Sequence, residues 1–285
     1  MNPTFYKRTY TWPDGLELQL GHRTLIMGIL NVTPDSFSDG GRYAAVDAAV
    51  AHARRMAEEG ADIIDIGGES TRPGHVPVPV DEELRRVIPV IQAVREAVKL
   101  PISIDTYKSD TARAALEAGA HIINDIWGFK RDRRMAAVAA AYGCPVVLMH
   151  NRERLDYVDM IEDIVADLLA SVSIARSAGV AESKIWLDPG IGFAKGFEGD
   201  VEMMGRLGAI TRLGYPVVLG TSRKSFIRRT LDVGVDDTLE GTAATQALGI
   251  AQGCQIIRVH DVRQMKRVAA MTDAIVYRQA GRSDL

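Results

Sequence analysis

Short apolar runs recur along the chain, and they show little alternation between apolar and polar residues. They are rich in Ile and Val, which is typical of strands that are covered on both faces. We therefore predict a buried parallel sheet whose strands follow one another through the whole sequence. The predicted strands are residues 24–30, 62–66, 102–104, 121–123, 145–149, 185–187, 216–219 and 256–259.

The segments between these runs have helical composition, and in six places a glycine stands between the helical stretch and the next strand. Glycine in this place is typical of a helix that ends in a left-handed residue. The glycines are Gly60, Gly119, Gly143, Gly179, Gly214 and Gly253. The predicted helices are residues 44–59, 82–98, 111–118, 135–141, 157–178, 200–213 and 238–251.

The repeated strand and helix predict an α/β protein of the barrel type. Eight units in 285 residues make about 36 residues per unit, which fits a (β/α)8 TIM barrel with a short N-terminal extension. No Gly/Ser-rich linker divides the chain, so we predict a single domain over residues 1–285. A doubly wound open sheet is the alternative, and it would need fewer strands or a second domain.

Composition narrows the class of protein. The chain has 34 Lys and Arg residues, 37 Asp and Glu residues and a net charge of -3, so no basic stripe favours nucleic acid as a partner. Cys144 and Cys254 lie in apolar runs without the spacing of a Cys/His metal site, which favours core residues in a reducing compartment. The N-terminus lacks an apolar signal segment, and no window is long enough to span a membrane. We expect a cytoplasmic protein.

Polar residues follow every predicted strand, at the end of the barrel where this fold places active sites. Asn31, Asp105, Asn124 and Asp188 are the simplest cases. Each of them alone is most often a turn or helix-capping residue, but four on one face favour a functional site. For Asp125 and Asp261 we keep the capping interpretation. The other polar segments are residues 67–74, 105–108, 124–126, 150–151, 188–190, 220–225 and 260–261.

The polar residues fit a particular ligand chemistry. Two carboxylates and an amide accept hydrogen bonds from clustered N–H donors, such as the edge of an amino-pyrimidinone ring. Lys224 would serve a carbonyl or ring nitrogen of the same ligand, and cationic or donor groups from neighbouring units suit a phosphate or carboxylate. Those groups are Arg72, Arg258 and His260. Solvent exposure is the alternative for Arg72 and Lys224, and a buried hydrogen bond is the alternative for His260.

The segment from Gly220 to Ser225 opens a predicted helix after the seventh strand, where barrels often bind an anion. Ser222 and Ser225 are equally well interpreted as helix-capping residues. There is no Walker motif and no GxGxxG after a strand, which argues against nucleotide binding. There is also no Ser-His-Asp order and no candidate Cys nucleophile, so covalent catalysis is not indicated.

Seven motifs, in order from residue 27 to residue 260, resemble the dihydropteroate synthase family of folate biosynthesis. The first two are long enough to be highly specific. The motifs are Met27-Gly-Ile-Leu-Asn-Val-Thr-Pro-Asp-Ser-Phe-Ser-Asp-Gly-Gly41, Asp65-Ile-Gly-Gly-Glu-Ser-Thr-Arg-Pro-Gly74, Ile104-Asp-Thr106, Ile123-Asn-Asp125, Leu187-Asp-Pro-Gly-Ile-Gly-Phe193, Thr221-Ser-Arg-Lys-Ser-Phe226 and Arg258-Val-His260.

The resemblance implies condensation of 6-hydroxymethyl-7,8-dihydropterin diphosphate with p-aminobenzoate, assisted by Mg²⁺, in a homodimer that is a sulfonamide target. It implies that Arg258 stacks on the pterin ring and holds the diphosphate together with Asn31 and His260, with Asn31 beside the metal. Thr71 and Arg72 would belong to a mobile loop near the diphosphate. The implied pterin-binding residues are Asp105, Asn124, Asp188 and Lys224.

For the arylamine, the resemblance implies a site bordered by Phe193 and Ser225, with Ser225 near the carboxylate. Phe37 and Pro73, on two loops that would close over the site, would form an apolar slot for the aryl ring. The alternative for Phe37 is a loop residue packed on the barrel.

Three segments depart from the family pattern: residues 127–129, 151–156 and 194–200. They leave the fifth loop and the role of Lys195 open. Two other functions are alternatives to the synthase. A pterin-binding methyltransferase would share the barrel but would not need the two long loop motifs. A catalytically silent paralogue should have lost the diphosphate residues, which this chain keeps.

Overall fold

The computed structural model describes residues 5–32, 41–70 and 77–277. The described residues form two sheets surrounded by helices. The strands are β1 (Arg8–Thr11), β2 (Glu17–Leu20), β3 (Leu25–Asn31), β4 (Ile63–Gly67), β5 (Ile102–Asp105), β6 (Ile122–Asp125), β7 (Val146–Met149), β8 (Ile185–Asp188), β9 (Val218–Leu219) and β10 (Ile256–Val259). The helices are α1 (Gly41–Glu58), α2 (Val80–Ala97), α3 (Ser109–Ala118), α4 (Arg134–Tyr142), α5 (Met160–Ser177), α6 (Gly196–Gly205), α7 (Gly208–Thr211), α8 (Ser225–Leu231), α9 (Leu239–Ala251) and α10 (Val262–Val276).

Strands β3 to β10 form one parallel sheet in the order β8-β7-β6-β5-β4-β3-β10-β9. A parallel bridge between Leu187 and Val217 joins its two edges and closes the ring. This confirms the predicted barrel, and all eight predicted strands fall within one or two residues of the observed ones. Within the described part of the chain, no helix is both long enough and apolar enough to cross a membrane.

The lower half of the barrel interior is filled by a compact apolar cluster. We call this cluster the floor. Its strand residues are Leu25, Met27, Ile63, Ile122, Val147, Trp186, Val218 and Ile256, all from the first part of their strands apart from Met27. The floor seals the interior from below, so a ligand can reach the interior from the carboxyl ends of the strands alone.

A β-hairpin covers the bottom of the floor. Strands β1 and β2 pair antiparallel, and Tyr10, Leu18 and Leu20 pack into the floor cluster. The hydroxyl of Tyr10 accepts a hydrogen bond from Trp186 Nε1 at 2.8 Å and donates to the carbonyl of Ser183 at 2.8 Å. The predicted N-terminal extension is therefore a plug for the barrel.

The six glycines after the helices all adopt positive φ, between 56° and 112°, which confirms the predicted left-handed stops. The predicted helix over residues 200–213 is wrong, because the chain there forms α6 and the short α7. Gly205 ends the first helix and Gly208 begins the second, and glycine has low helix propensity.

Candidate active site

The polar residues predicted from the strand ends come together above the floor. Along β8, Trp186 belongs to the floor, and Asp188 lies two residues further on the same face of the strand. On β5 and β6, Asp105 and Asn124 are register partners, and both are buried. On β6, β8 and β10, the barrel interior thus changes from an apolar floor to a polar layer within two residues.

An arginine links the carboxylates of this polar layer. Arg258 Nε donates to Asp65 Oδ2 at 2.6 Å, and its Nη2 donates to Asp105 Oδ2 at 2.6 Å. Asn124 Nδ2 donates to the same Asp65 oxygen at 3.2 Å. The guanidinium therefore has two carboxylate partners, which the sequence did not predict.

Burial shifts the acid–base properties of this layer. Removal from water, together with the charge of Asp65, raises the pKa of Asp105 to about 7, although Arg258 opposes the shift. Burial also raises the pKa of Asp188 above its ordinary value, against the backbone N–H of Gly190 and the charge of Lys224. Hydrogen bonds from N–H donors of a ligand would favour the charged form of these carboxylates and so offset the effect of burial.

Lys224 enters the site from the loop after β9. Its Nζ lies 4.1 Å from the centre of the Phe193 ring, which is a cation–π contact. Burial and the charge of Arg258 lower the pKa of Lys224 to about 8, so the ammonium form is the main form near neutral pH. A Cβ on Gly192, at φ 82°, would lie 2.8 Å from Lys224 Cδ, so the loop after β8 needs glycine there.

Lys195 has a role that the sequence left open. Its buried Nζ donates to Gly190 O at 2.9 Å and Phe193 O at 3.0 Å, and it lies 2.9 Å from His150 Nδ1. The other ring nitrogen of His150 lies 3.1 Å from Asp167, which fits a neutral imidazole that accepts from Lys195 and donates to Asp167. Lys195 therefore fastens the loop that carries Asp188 and Phe193 to the strand beside it.

Residues 151–156, which depart from the family pattern, lie next to the same His150 and Asp167 side chains. Arg152 Nε donates to Asp167 at 2.6 Å. Its guanidinium also lies 4.6 Å from the centre of the Tyr157 ring. The atypical fifth loop is thus attached to α5 next to the His150 chain of hydrogen bonds.

His260, at the end of β10, pairs with the loop after β9. Its Nδ1 lies 2.9 Å from Ser222 Oγ, and its backbone N–H donates to the same oxygen at 3.2 Å. The Ser222 hydroxyl then donates to Nδ1, which leaves Nε2–H as the donor of a neutral imidazole. Burial and the charge of Arg223 lower the pKa of His260 to about 3.

Backbone strain marks the same loop. Arg223 adopts φ 60°, which non-glycine residues seldom do. Its guanidinium pairs with Asp261 at 2.7 Å. Asp261 occupies the N-cap position of α10, as predicted, but its side chain makes no capping hydrogen bond and its carboxylate takes part in this ion pair instead. Asp125 does act as predicted, since it accepts from the backbone N–H groups of Trp127 and Phe129.

Ser225 is the first residue of α8 and is exposed. Neither Ser222 nor Ser225 caps this helix, because the cap residue is Lys224 and no side chain bonds to the helix N-terminus. Ser225 and Phe193 line the same cavity of about 720 Å³, beside Phe197 and Arg229. Phe193, in the wall of this cavity, also contacts Lys224, so the cavity lies next to the polar layer.

Asn31 ends β3 and is exposed at the barrel mouth, in register with Gly67 of β4. Among residues 5–32, 41–70 and 77–277, no group of three or more His, Cys, Asp or Glu side chains is placed to hold a metal ion.

Four predicted residues lie outside the described residues. They are Phe37, Thr71, Arg72 and Pro73. Conversely, the structure adds Asp65 and Lys195, for which the sequence predicts no site role. A carboxylate inside the apolar run Ile63-Ile-Asp-Ile66 was the signal for Asp65, because a buried charge needs a partner.

Comparison with known proteins agrees with this geometry. A family model described as pterin binding enzyme matches residues 27–260. The dihydropteroate synthase of Clostridium beijerinckii is 54% identical over 263 residues, covering 92% of this chain and 98% of that protein. The dihydropteroate synthase of Bacillus subtilis is 54% identical over 267 residues, covering 94% of this chain and 93% of that protein.

Solved structures give the same result. A dihydropteroate synthase from Clostridium difficile, determined in the presence of pteroic acid, superposes with a TM-score of 0.88 at 53% identity and covers 90% of this chain and 97% of its own. The Xanthomonas albilineans dihydropteroate synthase with 4-aminobenzoic acid has a TM-score of 0.88 at 41% identity, with coverages of 94% and 97%. The chain therefore belongs to the pterin-binding enzymes, as a transferase of the dihydropteroate synthase family.

Proposed function

We propose that this chain condenses 6-hydroxymethyl-7,8-dihydropterin diphosphate with p-aminobenzoate, giving 7,8-dihydropteroate and diphosphate. One observation carries the proposal: acidic, amide and cationic side chains from four strands and one loop surround a single polar layer above a sealed apolar floor. Those residues are Asp105, Asn124, Asp188, Lys224 and Arg258.

The pterin ring would occupy the polar layer. Asp105 and Asp188 accept hydrogen bonds from its amino and ring N–H groups, and Asn124 offers both an acceptor and a donor. Lys224 donates to the ring carbonyl or a ring nitrogen. Arg258 presents a planar guanidinium that stacks on the ring. The sealed floor supports this placement, because it sets a lower limit to how deep the ring can enter.

The diphosphate would lie at the outer edge of the polar layer. Arg258 and the Nε2–H of His260 would hold its oxygens, and a neutral His260 would bind them as a hydrogen-bond donor. Thr71 and Arg72 would join from the loop after β4. Asn31 would hold Mg²⁺, which when bound neutralises negative charge on the diphosphate.

The reaction would begin with breakage of the C–O bond to diphosphate, whose oxygen keeps the electron pair. The cationic methylene left on the pterin is then attacked by the arylamine nitrogen, which loses a proton. Such a step needs stabilisation of the leaving group more than a strong base. Arg258 and His260 supply donors for that purpose, and no covalent nucleophile is required.

The arylamine would bind in the cavity between Phe193 and Ser225, with Ser225 near its carboxylate. Phe37 and Pro73 would complete an apolar slot over the ring and exclude water that would otherwise trap the cation. A Phe37→Ala variant is therefore expected to raise the KM for p-aminobenzoate while leaving the binding of the pterin diphosphate nearly unchanged.

We also propose a homodimer formed through the outer helices. Leu248 of α9 is 58% exposed, and Met271 and Ile275 of the neighbouring helix α10 are 63% and 58% exposed. An apolar patch of this kind favours an interface. Light scattering after gel filtration should give twice the mass of the chain, and Met271→Glu should shift that mass toward the monomer.

The test of the reaction is product formation. The purified protein, given both substrates and Mg²⁺, should form 7,8-dihydropteroate, detectable by mass spectrometry. Lys224→Met should lose most of this activity while the protein stays folded. If no product forms although the pterin diphosphate binds, the synthase assignment is wrong and the silent paralogue is favoured.

A further inference from the structure

Asp65 of β4 lies at the centre of the polar layer and has no place in the proposed reaction. It is fully buried. Its Oδ2 accepts from Arg258 Nε at 2.6 Å and from Asn124 Nδ2 at 3.2 Å. Asp65 therefore contacts two side chains of the proposed pterin site, one from each side of the barrel interior.

The donors of Arg258 are divided between two carboxylates. Its Nε bonds to Asp65, while Nη2 bonds to Asp105 Oδ2 at 2.6 Å. These two donors lie on one edge of the guanidinium, and such an edge can bind both oxygens of a single carboxylate. The observed pairing is therefore one of two arrangements that Arg258 can adopt.

The second arrangement has an acceptor ready. Asp65 Oδ1 is buried and has no hydrogen-bond partner among the described residues. Movement of Nη2 from Asp105 to Asp65 Oδ1 would satisfy this oxygen and keep the Nε bond. The buried arginine would stay paired throughout, which avoids the cost of an isolated buried charge.

Asp105 is the residue that such a movement would release. Its Oδ1 has no partner among the described residues either, while its Oδ2 is occupied by Arg258. Ser103, the register partner of Asp65, also has a buried hydroxyl without a described partner. A ligand with two adjacent N–H donors uses both oxygens of a carboxylate, and the departure of Arg258 would leave both oxygens of Asp105 to such a ligand.

We propose that Asp65 is a positioning residue, onto which Arg258 transfers when a pterin binds Asp105. The inference rests on the proposed pterin site. The Nη2 hydrogen bond to Asp105 breaks, the Nη2 hydrogen bond to Asp65 Oδ1 forms, and Arg258 keeps its proton. Asp65 thus holds Arg258 through one hydrogen bond in the free protein and through two hydrogen bonds in the pterin-bound protein.

A double-mutant cycle tests this by calorimetry, with 6-hydroxymethylpterin as the probe because it lacks the diphosphate. Asp65→Asn is expected to weaken binding at least about tenfold in the otherwise unaltered protein, but less than about twofold in an Arg258→Gln background. Asp273→Asn is the matched control, since Asp273 is a buried carboxylate on α10 that accepts from Thr24 at 2.7 and 2.8 Å. It should leave the affinity unchanged.

The outcomes separate the two proposals. If the unaltered protein does not bind the pterin, the proposed function fails. If it binds and Asp65→Asn has no effect, or the same effect in both backgrounds, the transfer is wrong. A crystal structure of the unaltered protein with the pterin tests it without any variant: Nη2 should lie about 3 Å from Asp65 Oδ1, and an Nη2 still bound to Asp105 would contradict the inference.

Discussion

Two side chains on strand β8, Trp186 and Asp188, show how one barrel holds both a core and a site. They lie two residues apart on the same face of the strand, and both are buried. Trp186 belongs to the apolar floor and bonds to Tyr10 of the hairpin. Asp188 lies in the polar layer, where burial raises its pKa.

This comparison separates stability from function along one strand. Burial of an indole in a packed floor stabilises the fold. Burial of a carboxylate costs free energy unless hydrogen bonds compensate for the lost water. The polar layer therefore adds little to the stability of the fold, and the packed core of the barrel holds it in place. Variants in the floor should therefore change the free energy of unfolding, and variants in the polar layer should change binding.

The largest effect is expected for Trp186→Ala. It removes a fully buried indole and its hydrogen bond to Tyr10. We expect a loss of about 3 to 5 kcal/mol in the free energy of unfolding, measured by urea denaturation. The affinity of the folded variant for the pterin diphosphate should change little. An unchanged stability would show that the floor does not hold the barrel together.

The partner variant is Asp188→Ala. This variant should weaken the binding of the pterin diphosphate by about 2 to 4 kcal/mol, because it removes a buried carboxylate that accepts from two donors of the ligand. Its free energy of unfolding should stay close to that of the unaltered protein. Isothermal calorimetry measures the first quantity and urea denaturation the second. If the two proteins bound the pterin diphosphate with equal affinity, Asp188 would not be part of the binding site.

A pH-dependent effect is expected at His150. Burial and the charges of Lys195, Lys130 and Arg152 lower its pKa from 6.5 to about 2. The unfolded chain therefore takes up a proton below pH 6.5 that the folded chain does not. The contribution of His150 to stability is present above pH 6.5 and is lost as the pH falls toward 2, at up to about 1.4 kcal/mol per pH unit.

His150→Gln removes this titration. Unfolding curves of the two proteins, taken at several pH values between 7 and 4.5, should converge toward low pH, with the unaltered protein losing stability faster. Curves that stay parallel would mean that the pKa of His150 is not lowered in the folded protein.

The smallest effect is expected for Tyr10→Phe. It deletes the hydroxyl that joins Trp186 to the carbonyl of Ser183 and leaves the ring in the floor. A loss of about 1 to 2 kcal/mol of unfolding free energy is expected from the unpaired groups. Synthase activity should be unaffected. A fall in activity greater than the fall in stability would contradict the separation of floor and polar layer.

Much of this architecture could be predicted from the sequence. Strands covered on both faces leave a clear apolar run, and the run over residues 256–259 has the same bounds as β10. The hairpin was not predicted as strands, because β1 and β2 alternate between exposed and buried residues over four positions each. Such short alternation is hard to distinguish from a loop.

The candidate site was predictable in its residues but not in its connections. Asp105, Asn124, Asp188, Lys224 and Arg258 were all named from strand ends and motifs. Sequence position does not show which carboxylate an arginine will pair with, since that depends on register across the barrel. This is why the pairing of Arg258 with a residue 193 positions away was found from the structure.

The most direct measurement is diphosphate release by the purified protein, given dihydropterin diphosphate and Mg²⁺, with and without p-aminobenzoate. We predict release that accelerates with the arylamine and matches dihydropteroate formation mole for mole. Tight binding of the pterin diphosphate, without release under either condition, would contradict the account and identify a pterin-binding protein that does not catalyse the condensation.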